Sequence, residues 1–193
     1  MTDEKQLIQA LQNGSEQAFR SLVEMFQSKV TNTTLGFVPD LQDAEDIAQE
    51  VFVEVCRSGN KFREESKLST WIYRITTTKS LEFIRHKKRK KRMAFFQSLI
   101  GLEDDRTRSS SDEFNHPGVQ LENKERAKIL FDHIDKLPEN QKVAFTLQKV
   151  EGLSQKEISS IMETTESAIE SLLHRAKKNL QKSIHNFYKK KMI

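Results

Sequence analysis

Residues 154–178 read SQKEISSIMETTESAIESLLHRAKK, and this stretch decides the fold. Ser154-Gln155-Lys156-Glu157 sets a hydroxyl three residues before a carboxylate, the pattern of a capping box at a helix start. Ile158, Ile161 and Met162 follow at helical spacing. After Glu163-Thr164 the pattern restarts, with Thr165 placed as N-cap. Ala168, Ile169, Leu172, Leu173, Ala176, Leu180, Ile184 and Phe187 then sustain one apolar stripe for about six turns at ~3.6 residues each. Two helices joined by a short turn hold the second at a fixed angle, so its N-terminus can enter a major groove. An ordinary helical hairpin would show the same spacing. The tail favours nucleic acid: from position 174 onward there are seven Lys/Arg and no acid.

Outward from this point the helical period continues. Ile129, Leu130, His133, Ile134 and Leu137 form a stripe stopped by Pro138, and Val143, Ala144, Leu147 and Val150 form another stopped by Gly152. Residues 15–30 predict an amphipathic helix with Ser15 as N-cap and Ala18, Phe19, Leu22, Val23, Phe26 and Val30 on one face; Gly36 and Pro39 are expected to break it. A helix from near Asp43 carries Ala44, Ile47, Ala48, Val51, Phe52 and Val55, with acids in its first turn that suit the helix dipole. A third opens near Ser69 with Trp71, Ile72 and Ile75. The expectation is an all-α chain of two small helical domains, 1–92 and 124–193, with no strand and no internal repeat. Residues 93–123 carry a net charge of −4, and their polar composition predicts an extended or disordered linker. Phe95, Phe96, Leu99, Ile100 and Leu102 are placed in a short helix at its start.

Charge is distributed in blocks. Positions 40–54 hold six acids and no Lys or Arg, whereas positions 85–92 hold seven Lys/Arg and one His. Blocks of opposite sign imply different partners for different surfaces. A dense cationic run tracks a phosphate backbone by releasing condensed counterions; a solvated helix end needs fewer cations. The acidic run is either a solvated face or a docking face for a basic protein. Trp71 and Tyr73 beside Arg74 fit equally a core position and a stacking platform for bases.

Other classes are excluded. No P-loop, GxSxG or HExxH motif occurs, and the five His are scattered, so no catalytic residue, metal site, cofactor or small-molecule substrate is expected. Cys56 is the only cysteine, which forbids a disulfide within the chain. No apolar run reaches the ~18–20 residues of a membrane span, and residues 1–5 lack the order of a signal peptide. A soluble protein of the cytoplasm is expected.

Taken in order, these segments resemble a bacterial sigma factor of the extracytoplasmic-function type, in the sigma-70 family. DAEDIAQEVFVEV, from Asp43, resembles the helix that docks on the clamp helices of core RNA polymerase. The resemblance implies polymerase binding by Asp43, Asp46, Gln49, Glu50 and Val53. LSTWIYRIT from Leu68 resembles the promoter-melting segment, and TTTKSLEFIRHKKRKKR from Thr76 the helix that reads the −10 element. This implies promoter contacts by Lys67, Ser69, Trp71, Arg74, Thr78, Glu82, Arg85, Lys88 and Arg89, with flipped non-template bases held by the loop 62–69 and the helix after it. The segment from Leu137 to Leu180 resembles the −35-binding domain, implying contacts by Thr165, Ser167, Ala168, Glu170, Ser171, His174, Arg175 and Lys178. The linker is expected to thread toward the RNA exit path, and an anti-sigma factor is implied as a partner. The chain departs from the family pattern at Thr78 and Glu82, where Asn and Asp are common. It departs again at Glu163, where Gly is common, and at Glu170 and Leu172, where Lys and Arg are common. The alternatives from the residues alone are a stand-alone helix-turn-helix regulator and a helical adaptor that binds only protein.

Overall fold

Ser15 and Asp40 open the two helices that frame the N-terminal half. The computed structural model describes residues 4–99 and 124–191, which form eight α-helices and one 3-10 turn, with no strand among them. The Ala18 N–H donates to Ser15 Oγ at 3.3 Å and starts α2 (Glu16–Phe37), preceded by α1 (Glu4–Gln12). The Asp43 N–H donates to Asp40 Oδ1 at 2.9 Å and starts α3 (Leu41–Ser58). Such caps satisfy backbone donors that the helix cannot. After a 3-10 turn at Gly59–Lys61, α4 runs from Leu68 to Leu99. Leu22, Val30, Ile47, Val51, Val55, Leu68 and Ile72 are fully buried where α2, α3 and α4 meet. Periodicity did not reveal α1. It buries Leu7 and Ile8 against this core, and Gln12 Nε2 donates to the Phe62 carbonyl at 2.7 Å.

The expected break at Gly36 does not occur; α2 continues to Phe37. A helical glycine costs only ~1 kcal/mol, and every residue from Thr33 to Phe37 is buried. Thr33 Oγ1 donates to the Lys29 carbonyl at 2.7 Å and Thr34 Oγ1 to the Ala44 carbonyl at 3.0 Å, so both hydroxyls are satisfied inside the core. Nor does α4 stop at 92: positions 93–99 extend it, taking in Phe95, Phe96 and Leu99. The remainder of the expected linker, with Ile100 and Leu102, lies outside the described residues.

The C-terminal half contains α5 (Lys124–Ile134), α6 (Glu139–Lys149), α7 (Gln155–Met162) and α8 (Glu166–Lys191). The capping box forms as the sequence predicts. The Glu157 N–H donates to Ser154 Oγ at 3.3 Å, and the Ser154 N–H donates to Glu157 Oε2 at 2.9 Å. The Ser154 hydroxyl also donates to Glu157 Oε2 at 2.7 Å, and this bond, with that from the Ser154 N–H, holds the Glu157 carboxyl below its usual pKa. Glu163 closes the turn in the left-handed region, at φ 52° and ψ 48°. The Ala168 N–H then donates to Thr165 Oγ1 at 3.2 Å. Ala144, Leu147, Ile158, Ile169 and Ala176 are fully buried. Leu130, placed on the buried stripe from periodicity, is instead 41% exposed. The anchor of α5 is His133, whose Nδ1 lies 2.6 Å from Ser183 Oγ and whose ring meets Phe187 edge-on. Burial pushes this imidazole's pKa below its ordinary value.

The two halves pack together. Phe37 of α2 and Tyr73 of α4 belong to the same apolar cluster as Val143, Leu147 and Ile158. Gly36 sets the approach: a Cβ there would lie 2.6 Å from Thr146 Cγ2 and 2.7 Å from Val150 Cγ2. Only a hydrogen fits, and Thr146 Oγ1 donates to the Gly36 carbonyl at 3.3 Å.

Candidate functional site

Three surfaces carry the residues singled out from the sequence. The first lies on α3. Asp46, Gln49 and Glu50 are exposed and Val53 is 42% exposed; Asp43, Asp46, Glu50 and Val53 recur every three or four residues along one helical face, with Gln49 beside them. Asp46, Gln49 and Glu50 line a groove of about 510 Å³, whose other wall is α4 through Lys79, Glu82, Phe83 and His86. Asp43 stands apart from this set, because its carboxylate accepts from Lys87 Nζ at 2.6 Å.

The second surface lies on α4. Trp71, Arg74, Thr78, Glu82, Arg85 and Arg89 recur every three or four residues and share one face, with Lys67 and Ser69 at its N-terminal end. Trp71 is half-buried, and its ring lies 5.0 Å from that of Phe62 at 35°, so it closes the core on one side and meets solvent on the other. Thr78, Lys88 and Arg89 are exposed. Glu82 lies 3.8 Å from Lys79.

Several of these cations are already engaged by the C-terminal half. Arg85 meets the Glu139 carboxylate with both Nε, at 2.8 Å, and a terminal nitrogen. Lys88 Nζ lies 3.1 Å from Asp135 Oδ2, and Arg74 lies 2.9 Å from Glu163 Oε1 and donates to the Ser160 carbonyl at 2.6 Å. The Arg85 hydrogen bond holds the Glu139 carboxyl below its usual range. Burial alone would raise Asp135, but Lys142 and Lys88 outweigh it and its pKa falls. Beside them Tyr73 Oη donates to Glu151 Oε2 at 2.8 Å; burial, then this bond, pushes the phenol well above its usual value. Sequence reasoning missed the acceptors Asp135, Glu139, Glu151 and Glu163. Their only trace there was complementary sign, at separations such as 47 residues for the Lys88–Asp135 contact and 78 for Tyr73–Glu151.

The third surface is the outer face of α8. Thr165, Ser167, Glu170, Ser171, His174, Arg175 and Lys178 are exposed and Ala168 is half-buried, while Ile169, Leu173 and Ala176 face the core. Glu170, Ser171, His174 and Arg175 border a shallow recess of about 530 Å³. Arg175 Nε donates to the Ser171 carbonyl at 3.2 Å, which lays the guanidinium along the helix. Among the described residues no cluster of His, Cys, Asp and Glu could hold a metal ion. Among them also, no helix is long and apolar enough to cross a membrane.

Known proteins share this architecture and its order along the chain. The family described as sigma-70 region 2 matches residues 22–90, and that described as sigma-70, region 4 matches residues 128–180. The RNA polymerase sigma-H factor of Pseudomonas aeruginosa is 30% identical over 188 residues, covering 94% of this chain and 93% of its own length. The ECF RNA polymerase sigma-E factor of Escherichia coli is 29% identical over 178 residues, covering 92% of each. The solved structure of CnrH in complex with the cytosolic domain of CnrY has the same fold. Its TM-score is 0.65 at 18% identity, over 95% of this chain and 97% of that one. The chain belongs to the sigma-70 family of RNA polymerase sigma factors, in the extracytoplasmic-function group. Members of that family are transcription-initiation factors, not enzymes in themselves; they bind core RNA polymerase and recognise promoter DNA.

Proposed function

We propose that the three surfaces divide the work of initiation among them. The exposed face of α3, with Asp46, Gln49, Glu50 and Val53, docks on core RNA polymerase. The α4 face from Lys67 to Arg89 binds and melts the −10 element, Trp71 offering its solvent side to an unstacked base while the cations hold the backbone. The outer face of α8 enters the major groove at the −35 element. We assign 1–92 and 124–193 as the domains that carry these tasks. The chain itself catalyses nothing, acts in the cytoplasm and is held in check by an anti-sigma factor. One observation supports this division: the acidic row of α3, the cation-bearing row of α4 and the polar row of α8 lie on three separate helices, each with exposed residues of its own.

The test is reconstitution. Mixed with core RNA polymerase, the chain should start transcription from promoters of its own genome and not from templates lacking them. A stand-alone regulator would instead bind a palindromic operator as a dimer with no polymerase present.

A further inference from the structure

The loop between the 3-10 turn and α4 is open along most of its length. Phe62 and Leu68 are buried, and between these two anchors Arg63, Glu64, Glu65 and Lys67 are exposed. Glu64 stands in the left-handed region at φ 57°, a conformation that a side chain resists. Such a segment keeps a single conformation only if its ends are fixed by contacts from outside it.

The helix α1 supplies one of those contacts. Its nine residues are too few for a helix to persist alone in water. Leu7 and Ile8 hold it to the first core, and the Ser15 N–H closes its end on the Ala10 carbonyl at 2.9 Å. Gln12, the last residue of α1, is half-buried and turns its amide to the loop. Its Nε2 donates to the Phe62 carbonyl at 2.7 Å, joining positions 50 residues apart. The Phe62 ring in turn lies 5.0 Å from that of Trp71. The hydrogen bond thus fixes the backbone at Phe62, and Phe62 backs the inner side of the half-buried indole.

We propose that α1 serves promoter melting through Gln12 as a positioning residue: its amide holds the Phe62 carbonyl, and the Phe62 ring then presents Trp71 in the orientation that receives an unstacked base, an assignment that rests on the reading of Trp71 as a stacking platform. A platform already in place binds a base without first being ordered, and apparent affinity falls in proportion when only a fraction of molecules holds it so. Neither the docking face of α3 nor the outer face of α8 takes part.

Trp71 is the only tryptophan of the chain, so its fluorescence reports on the platform. In the free chain, Gln12→Met removes the donor and keeps the bulk, while Gln12→Glu sets a carboxylate against the carbonyl. Near neutral pH both should raise acrylamide quenching of Trp71 and leave the helical circular dichroism unchanged. Partial burial beside a carbonyl pushes the introduced carboxyl above its ordinary pKa, and once protonated it donates in place of the amide. The excess quenching of Gln12→Glu should therefore fade as pH is lowered to about 5, and that of Gln12→Met should persist. In holoenzyme, with a fluorescent base analogue in the −10 element, Gln12→Met should melt promoters about twofold to tenfold more slowly, the range of one hydrogen bond of ordinary net strength. Its binding to core polymerase and to −35 duplex should not change. Wild-type quenching with wild-type melting overturns the positioning role. Identical, pH-independent quenching in the two variants overturns the amide as its agent, and raised quenching with wild-type melting overturns its part in the DNA step. The platform is tested apart: holoenzyme carrying Trp71→Leu, which keeps apolar bulk toward the core, should melt promoters poorly. Full melting there removes the reading of Trp71; poor melting there with wild-type melting in Gln12→Met removes only the role of Gln12.

Discussion

Lys87 Nζ lies 2.6 Å from Asp43 Oδ2, so the cationic run of α4 is tied to the acidic first turn of α3. The contact removes Asp43 from the otherwise open row of Asp46, Gln49 and Glu50. Asp46→Arg combined with Gln49→Ala should abolish co-purification with core polymerase and leave the helical circular dichroism unchanged. Asp43→Asn should keep most of that binding and lower stability by no more than ~1 kcal/mol, the range of partly exposed pairs. Equal loss of polymerase binding in both proteins would contradict the distinction.

Replacing Lys87, Lys88 and Arg89 with Ala should weaken promoter binding by the holoenzyme. For each phosphate that is no longer neutralised, the log–log salt slope should fall by ~0.9 on duplex and ~0.7 on single strand. Lys87 and Lys88 also hold Asp43 and Asp135, so a modest drop in thermal midpoint should accompany the change. An unaltered slope would show that these cations never meet phosphate.

Glu170 is exposed beside His174 at the recess on α8. A carboxylate so placed either accepts from cytosine N4 or simply repels the backbone. We expect the second: Glu170→Lys should strengthen binding on all duplexes alike and steepen the salt slope by about one unit. A promoter-library selection decides the matter, since a changed −35 preference in the variant, with a loss of ~1–3 kcal/mol on the native site, would establish base reading.

Acid should loosen the contact between the halves. Arg85 depresses the Glu139 pKa, and Lys142 with Lys88 depresses that of Asp135 against the effect of burial. A carboxylate whose folded pKa is lowered contributes stability that is complete above its unfolded value, about 4, and is lost as pH falls through the folded value. The separation of dyes placed on the exposed Cys56 and on a cysteine introduced at the exposed Lys177 (Lys177→Cys) should therefore hold steady down to about pH 5 and lengthen below about pH 4. Circular dichroism recorded in parallel should show that helices outlast the contact; simultaneous disappearance of both would mean global acid unfolding instead.

Helix starts were legible because their chemistry is local. Ser15, Ser154 and Thr165 each bond a backbone N–H within three residues, and that spacing is written in the sequence. The α8 stripe was legible for the same reason. The end of α2 was not: glycine reads as a breaker, yet Gly36 is kept helical by contacts with residues more than a hundred positions away. Nor was α1, where Leu7 and Ile8 are too short an apolar signal to show a period. On the functional surfaces, the α3 row was drawn from the family resemblance, and the open side of α8 followed from the spacing of its apolar stripe. The occupation of Arg74, Arg85 and Lys88 did not, because only the folded chain brings Glu163, Glu139 and Asp135 beside them.

Glu163 shows what that long-range pairing demands locally. The turn between α7 and α8 needs a left-handed residue, where a side chain costs ~1–2 kcal/mol and glycine costs nothing extra. The glutamate meets that cost while reaching Arg74 of α4 at 2.9 Å. Local preference and distant contact therefore conflict at a single position, and a conflict of this kind is local frustration. Salt selects between the two demands. In concentrated salt the ion pair fades and Glu163→Gly should raise the thermal midpoint; in dilute salt the gain should shrink as the missing pair offsets the relaxed turn. Position 163 is thus a joint at which the optimum for the turn and the optimum for the whole chain differ, and ionic strength sets how far apart they lie.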